Sequence, residues 1–336
     1  MDATAKPAIR LDNVSKQYPD GTVAVASLTI EIPEGELVAF VGPSGCGKST
    51  TLRMINRLTE PTSGTLWLEG EDVTRVDTVR LRRRIGYVIQ QVGLFPHQDV
   101  RTNVGTVPRL LGWDAKRIRE RTEELLDLVG LDPAVFGKRY PHELSGGQRQ
   151  RVGVARALAA DPVVLLMDEP FSAIDPIARG RLQEEFLRLQ AEVRKTIVMV
   201  THDVDEAVRM ADRIAVFSEG GKLEQYAEPA TILGAPSSSF VADFVGGDRS
   251  LRRLAVTPVD LTMLAPLSDF SLTNRDDIPT IPVKSSLKDA LAVLLAGDTG
   301  WVAVRDGSET LGVLSPQALH QTLRHALPPE AASVDD

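Results

Sequence analysis

The 336-residue sequence predicts an α/β fold built on a parallel sheet, with an antiparallel start and a smaller α+β region behind it. Three observations predict it. The short apolar runs Glu36–Val41, Val163–Met167, Thr196–Val200 and Ile214–Ser218 have the composition of strands buried on both faces. Stretches of helical spacing alternate with these runs, which is the pattern of a parallel sheet covered by helices. Ahead of them, Leu11–Tyr18 and Val23–Ile32 alternate residue by residue, as half-buried antiparallel strands do.

Taken in order, the turn Pro19-Asp20-Gly21 joins the two alternating strands, and Pro33-Glu34-Gly35 closes the second. Glu36–Val41 then runs into a glycine-rich turn and a helix over Lys48–Leu58. Ile118, Leu125, Leu126, Leu128 and Val129 fall among charges at helical spacing, so Lys116–Gly130 reads as a helix, as does Gly146–Asp161. Leu131–Leu144 between them is loop-like, and the helical insert as a whole covers about 92–160. Arg179–Arg194 is a charged amphipathic helix. Gly246-Gly247-Asp248 reads as a linker, which divides the chain into domains 1–245 and 246–336. In the second, a helix over Ser286–Leu295 precedes strands Trp301–Arg305 and Thr310–Leu314 across the turn Asp306-Gly307, and a helix follows over Pro316–Leu323. Pro328–Asp336 reads as a frayed acidic end.

Composition excludes several classes. A net charge of -8 leaves no global basic field for nucleic acid or an anionic membrane face. A single cysteine, Cys46, permits no internal disulfide and suits a reducing compartment. Met1–Arg10 has no apolar h-region, and the longest apolar run, Ala290–Ala296, is far too short to cross a membrane. The expectation is a chain without a secretion signal or membrane span.

The chemistry is carried by three segments. Gly42-Pro43-Ser44-Gly45-Cys46-Gly47-Lys48-Ser49-Thr50 follows a strand and opens a helix, with the spacing of a phosphate-binding loop. Its glycines let backbone N–H groups converge on phosphate oxygens, Lys48 reaches the β and γ phosphates, and Ser49 reaches Mg²⁺. Cys46 reads as a small loop filler. The apolar strand Val163–Met167 delivers Asp168 and Glu169 at its tip, one carboxylate to hold Mg²⁺ through water and the next to polarise an attacking water. Leu144-Ser145-Gly146-Gly147-Gln148 then supplies a second helix-opening anion site, although one ATP needs only one phosphate loop.

With these motifs in this order, roughly Ile9–Val245 resembles the ATP-binding cassette (ABC) family, whose LSGGQ signature on one subunit closes over ATP held by the phosphate loop of another. The implied fold is a P-loop, RecA-like ABC nucleotide-binding domain with antiparallel β and helical subdomains. ATP and Mg²⁺ are the implied cofactors, and a homodimer the implied assembly. The resemblance places Tyr18 on adenine, Gln90 (or its neighbour Gln91) at the loop that senses Mg²⁺, Asp175 in the D-loop Ser172-Ala173-Ile174-Asp175, and His202 at the γ-phosphate. Glu169 is the implied general base; Ser49, Gln90 and Asp168 make up the metal set; and Ser145, Gly146, Gly147 and Gln148 act on a second subunit's ATP.

Within the family, Gly93-Leu94-Phe95-Pro96-His97 and Val107–Trp113 resemble the branch that imports quaternary amines such as glycine betaine, choline or carnitine. This implies separate membrane permease subunits docked near Phe95-Pro96-His97 and Trp113, a substrate-binding protein outside, and a peripheral place on the cytoplasmic face of the cell membrane. Import of another small solute (amino acid, sugar or ion) and a soluble ABC ATPase outside transport are the alternatives. Ile278–Leu323 resembles one cystathionine-β-synthase (CBS) motif, whereas 248–277 matches its usual partner motif poorly; the small α+β domain is either regulatory or an appendage for dimerisation or stability.

Overall fold

The structure, a computed structural model, describes residues 7–89, 93–172, 174–266, 278–297 and 300–325. The chain divides into two compact units, Met1–Tyr226 and Ala227–Asp336.

In the first unit, β1 (Pro7–Gln17) and β2 (Val23–Pro33) pair antiparallel. The main strand is β3 (Leu37–Val41), buried along its whole length and followed by α1 (Lys48–Ile55). The helix stops three residues before the predicted Leu58, because Arg57 turns left-handed with φ 47°. Strands β4 (Ser63–Leu68) and β5 (Glu71–Asp72) were not evident in the sequence; they extend the first pair to the order β2-β1-β4-β5. Their signal is a turn, Glu69-Gly70, in which both residues have positive φ.

After α2 (Thr78–Arg82) and β6 (Ile85–Val88), the helical insert follows. It comprises α3 (Val100–Val104), α4 (Thr106–Leu110), α5 (Ala115–Leu128), α6 (Pro133–Phe136) and α7 (Gly146–Leu158). Asp99, Asp114 and Asp132 cap α3, α5 and α6 by accepting from backbone N–H groups of the first turn. The chain then returns to the sheet through β7 (Val164–Asp168), α8 (Pro176–Val193), β8 (Thr196–Val200), α9 (Val204–Met210), β9 (Arg213–Ser218) and β10 (Lys222–Ala227). The sheet order is β10-β9-β3-β8-β7-β6, and β3, β6, β7, β8 and β9 pair parallel. Burial on both faces explains why these strands read as unbroken apolar runs. Phe40 and Phe217 meet edge to face at 5.0 Å beneath the glycine-rich loop.

The second unit starts before the expected boundary at 246, because α10 (Pro229–Gly234) packs against α12 (Arg249–Val256), with α11 (Ser239–Val245) between them in sequence. Gly246-Gly247-Asp248, read as a linker, is a tight turn between helices, with Gly246 at φ 86° and Arg252 donating to the Val245 carbonyl. The remainder runs β11 (Thr280–Pro282), α13 (Leu287–Ala296), β12 (Val302–Asp306), β13 (Glu309–Leu314) and α14 (Pro316–His325). Strand β11 pairs parallel with β12, and β12 antiparallel with β13. Leu254, Leu287, Val302 and Leu314 belong to this unit's own core.

Candidate functional site

Parallel strands deliver loops at their C-terminal ends, and three of these loops converge. The turn after β3 supplies Gly42–Gly47, the end of β7 supplies Asp168 and Glu169, and the end of β8 supplies His202. A cavity of about 470 Å³ is lined by Ser44, Gly45, Lys48, Ser49, Glu169 and His202, together with Gly47 and Thr50.

The loop's shape follows from its glycines. Gly42, Gly45 and Gly47 have φ 148°, 82° and 100°, values that L side chains rarely adopt. A Cβ at Gly47 would land on the Ala24 carbonyl oxygen, and one at Gly42 on that of Phe217. Gly47 directly precedes α1, so the free N–H groups of that helix face the cavity end of the loop. Lys48 is 6% exposed and donates to the Gly42 and Pro43 carbonyls at 2.7 and 2.8 Å. Cys46 is 2% exposed and packs with the core, as expected of a loop filler.

Ser49 donates from Oγ to Asp168 Oδ1 at 2.8 Å, which brings together two residues 119 positions apart. Arg53 Nη2 lies 3.9 Å from Asp168 Oδ2. Glu169 holds a left-handed backbone, φ 47°, with its N–H on the Val200 carbonyl. Its Oε1 lies 3.6 Å from His202 Nδ1. Ser49 and Asp168 are hard oxygen donors of the kind that hold Mg²⁺ alongside water and phosphate oxygens. Among the described residues no group of three or more His, Cys, Asp or Glu could hold a metal unaided.

Other predicted residues lie outside this cavity. Ser145 caps α7 reciprocally with Gln148: the Gln148 N–H reaches Ser145 Oγ at 3.3 Å, and the Ser145 N–H reaches Gln148 Oε1 at 2.9 Å. Ser145 and Gly146 are exposed, and nothing stands within 4 Å of a Cβ built at Gly147. Asp175 is exposed and caps α8. Tyr18 is half-buried at the end of β1, with Lys16 Nζ 5.3 Å from its ring centre. Gln90 and Gln91 lie outside the described residues.

Sequence reasoning missed the polar group behind His202. Glu206, 6% exposed, accepts from Gln183 Nε2 at 2.9 Å. Asp203 caps α9 and lies 3.6 Å from Arg179. Burial pushes the Glu206 carboxyl above the ordinary carboxylate range; hydrogen bonds from Thr201 and Gln183 and the charge of Arg179 pull it down, while Asp203 adds to the rise. The signal available was an acid flanked by the apolar Ala207 and Val208. A raised pKa means that the folded state binds the proton more tightly than the unfolded state does. Stability therefore falls as pH climbs from the unfolded value of Glu through the raised one. Replacement by Gln should remove that slope, so melting temperatures of Glu206→Gln and wild type should run together near pH 4 and separate as pH rises towards 8, with the wild type losing stability.

Residues 25–172 match the family described as ABC transporter. The Salmonella typhimurium protein named osmoprotectant import ATP-binding protein OsmV is 49% identical over 290 residues, covering 82% of this chain and 76% of its own. This chain belongs to the ABC transporter family. The Bacillus subtilis glycine betaine/carnitine/choline transport ATP-binding protein OpuCA is 52% identical over 244 residues, 73% of this chain and 64% of that one, so the match spans less than two thirds of the Bacillus protein. Among solved structures, a dimeric ATP-binding cassette in a post-hydrolysis state with ADP and Pi is 34% identical at TM-score 0.59, covering 66% of this chain and 98% of that one.

Proposed function

We propose that this chain is the ATP-hydrolysing subunit of an ABC importer for quaternary-amine osmoprotectants of the glycine betaine, choline and carnitine class. The observation that carries the reading is the identity to the osmoprotectant import protein over most of both chains. Among the described residues no helix is long and apolar enough to cross a membrane, so the solute path belongs to separate permease subunits. This chain then sits on the cytoplasmic face beneath them, with the substrate-binding protein on the far side. Phe95, 40% exposed, fits a permease contact: Asn103 pins its loop, accepting from the Phe95 N–H at 2.7 Å and donating to the Phe95, Gln98 and Asp99 carbonyls. Trp113 suits that role less, since Arg117 stacks over its ring at 3.5 Å.

In this mechanism the N–H groups of the glycine-rich loop and Lys48 bind the phosphates of ATP. Ser49 and Asp168 hold Mg²⁺, which when bound neutralises phosphate charge. Glu169 takes a proton from the water that attacks the γ-phosphate in line, and His202 faces the same phosphate. Ser145, Gly146, Gly147 and Gln148 of a second copy complete the far side, so each site is finished only in a homodimer, and ATP binding favours closure. Tyr18 stacks on adenine, Gln90 joins the metal set, and Asp175 acts at the dimer junction.

The functional test is uptake of labelled glycine betaine, choline, carnitine and sulfate by cells lacking the gene, rescued with wild type or Glu169→Gln. The expected result is amine uptake restored by wild type alone. Sulfate uptake without amine uptake would leave an ABC importer of another solute class.

The second unit's order β11-α13-β12-β13-α14 supports a single CBS-like motif that acts in regulation. Deleting 246–336 should leave uptake active but insensitive to osmolarity. If the truncated protein keeps its normal dependence, the tail is not the sensor.

A further inference from the structure

Two residues of the D-loop segment, Ser172 and Ile174, are tied to the two sides of the Glu169–His202 pair. At the front, Ser172 donates from its N–H and its Oγ to the Glu169 carbonyl, at 3.3 and 3.0 Å. At the rear, the Ile174 carbonyl accepts from Arg179 Nη2 at 3.1 Å. The other arm of the same guanidinium, Nη1, lies 3.6 Å from Asp203 Oδ2, and Asp203 directly follows His202. Arg179 Nε is buried without a partner, so the guanidinium is desolvated here at a cost.

The side chain of His202 is 61% exposed, so packing does not fix it and its place depends on the backbone that carries it. That backbone is held on both sides. Before it, the Thr201 N–H donates to the Phe40 carbonyl of β3 at 3.1 Å. After it, the Asp203 N–H donates to Thr201 Oγ1 at 3.0 Å, and Asp203 Oδ1 accepts from the Asp205 and Glu206 N–H groups at 2.9 and 3.2 Å. Asp203 Oδ2 is the oxygen that faces Arg179, which brings in α8. Two further contacts join α8 to α9: Gln183 to Glu206 at 2.9 Å, and Arg209 to Glu184 at 2.6 Å. Arg179 and Gln183 stand one helical turn apart, so a single face of α8 meets the His202 loop and the helix after it.

We propose that Arg179 is a positioning residue that couples the D-loop to His202, so that the contact a second copy makes with the D-loop sets the place of His202 at the γ-phosphate. The inference rests on the reading above, in which Asp175 acts at the dimer junction and His202 faces that phosphate. A guanidinium suits the role because its planar fork spans two acceptors, here a carbonyl and a carboxylate, whereas a lysine ammonium is a point charge without that span.

The test is ATP hydrolysis by the full-length protein with Mg²⁺, with the melting temperature of each variant measured beside wild type. Arg179→Met keeps the apolar stem and removes both arms of the fork. It should lower kcat about tenfold and leave the KM for ATP within about twofold, the pattern of an interaction made in the reacting state. Arg179→Lys should not restore the rate. Asp203→Asn keeps the α9 cap but turns an amide donor towards Arg179; it should reproduce the loss, and it stands as the test should Arg179→Met fail to fold. In a His202→Ala background, with residual turnover read as phosphate released over hours, adding Arg179→Met should change kcat by less than about twofold, because its effect runs through His202. Losses that multiply in the double variant, wild-type kcat in Arg179→Met, or full rescue by Arg179→Lys overturn the proposal. Wild-type turnover in His202→Ala strikes the role given to His202 itself, and the coupling falls with it.

Discussion

Glu169→Gln should lower ATP turnover by about 100-fold or more while leaving ATP affinity intact, because it removes a general base and keeps the side chain's size and hydrogen-bonding reach. The left-handed backbone at Glu169 and the N–H bond to the Val200 carbonyl hold the residue at the cavity whichever side chain it carries. With hydrolysis stopped, ATP should hold two copies together, and size-exclusion chromatography with ATP and Mg²⁺ should show a dimer that wild type forms only in passing. Turnover near the wild-type rate would remove Glu169 from the role of base.

Lys48→Ala should abolish binding instead of turnover. Truncating one member of a buried, charged hydrogen-bonded contact costs roughly 2–5 kcal/mol, which corresponds to about 30-fold or more in affinity. Saturating ATP with Mg²⁺ at about 100 times Kd stabilises a folded protein by about 2.7 kcal/mol, a rise of about 5–10 °C in melting temperature for a unit of this size. Wild type and Glu169→Gln should both show that rise, and Lys48→Ala should lose most of it. Lys48 also donates to the Gly42 and Pro43 carbonyls, so the melting temperature of Lys48→Ala without ATP, measured beside wild type, separates lost binding from lost fold. If Lys48→Ala keeps the full ATP-dependent rise, the phosphate-binding role fails.

Much of the site could be read from the residues because it is built from short segments. Gly42–Thr50 needs glycines where the loop turns left-handed and a helix directly after it, and both are properties of nine adjacent residues. Asp168 and Glu169 were legible because a run buried on both faces ends in acids on a chain that also carries the glycine-rich loop Gly42–Thr50; a strand ending in acids is common by itself. Strands β4 and β5 were not legible, since β5 is two residues long and gives no alternation to detect. Helices α10 and α11 escaped for the related reason that each is under two turns. The expected linker at Gly246 was a composition argument, and Gly-Gly-Asp serves equally well as a tight turn between packed helices.

The sequence by itself determined the class of fold, the phosphate-binding loop, the acid pair at the end of β7 and the helix-capping signature, all of which depend on backbone preference and burial within a few residues. Only the tertiary structure decided that Ser49 meets Asp168, that His202 faces Glu169 and that Glu206 is buried on Gln183. The physical reason lies in the sheet order. Strands buried on both faces look alike in sequence, so which of them become neighbours is settled by packing across the whole unit, and side chains more than a hundred positions apart meet only after that choice is made.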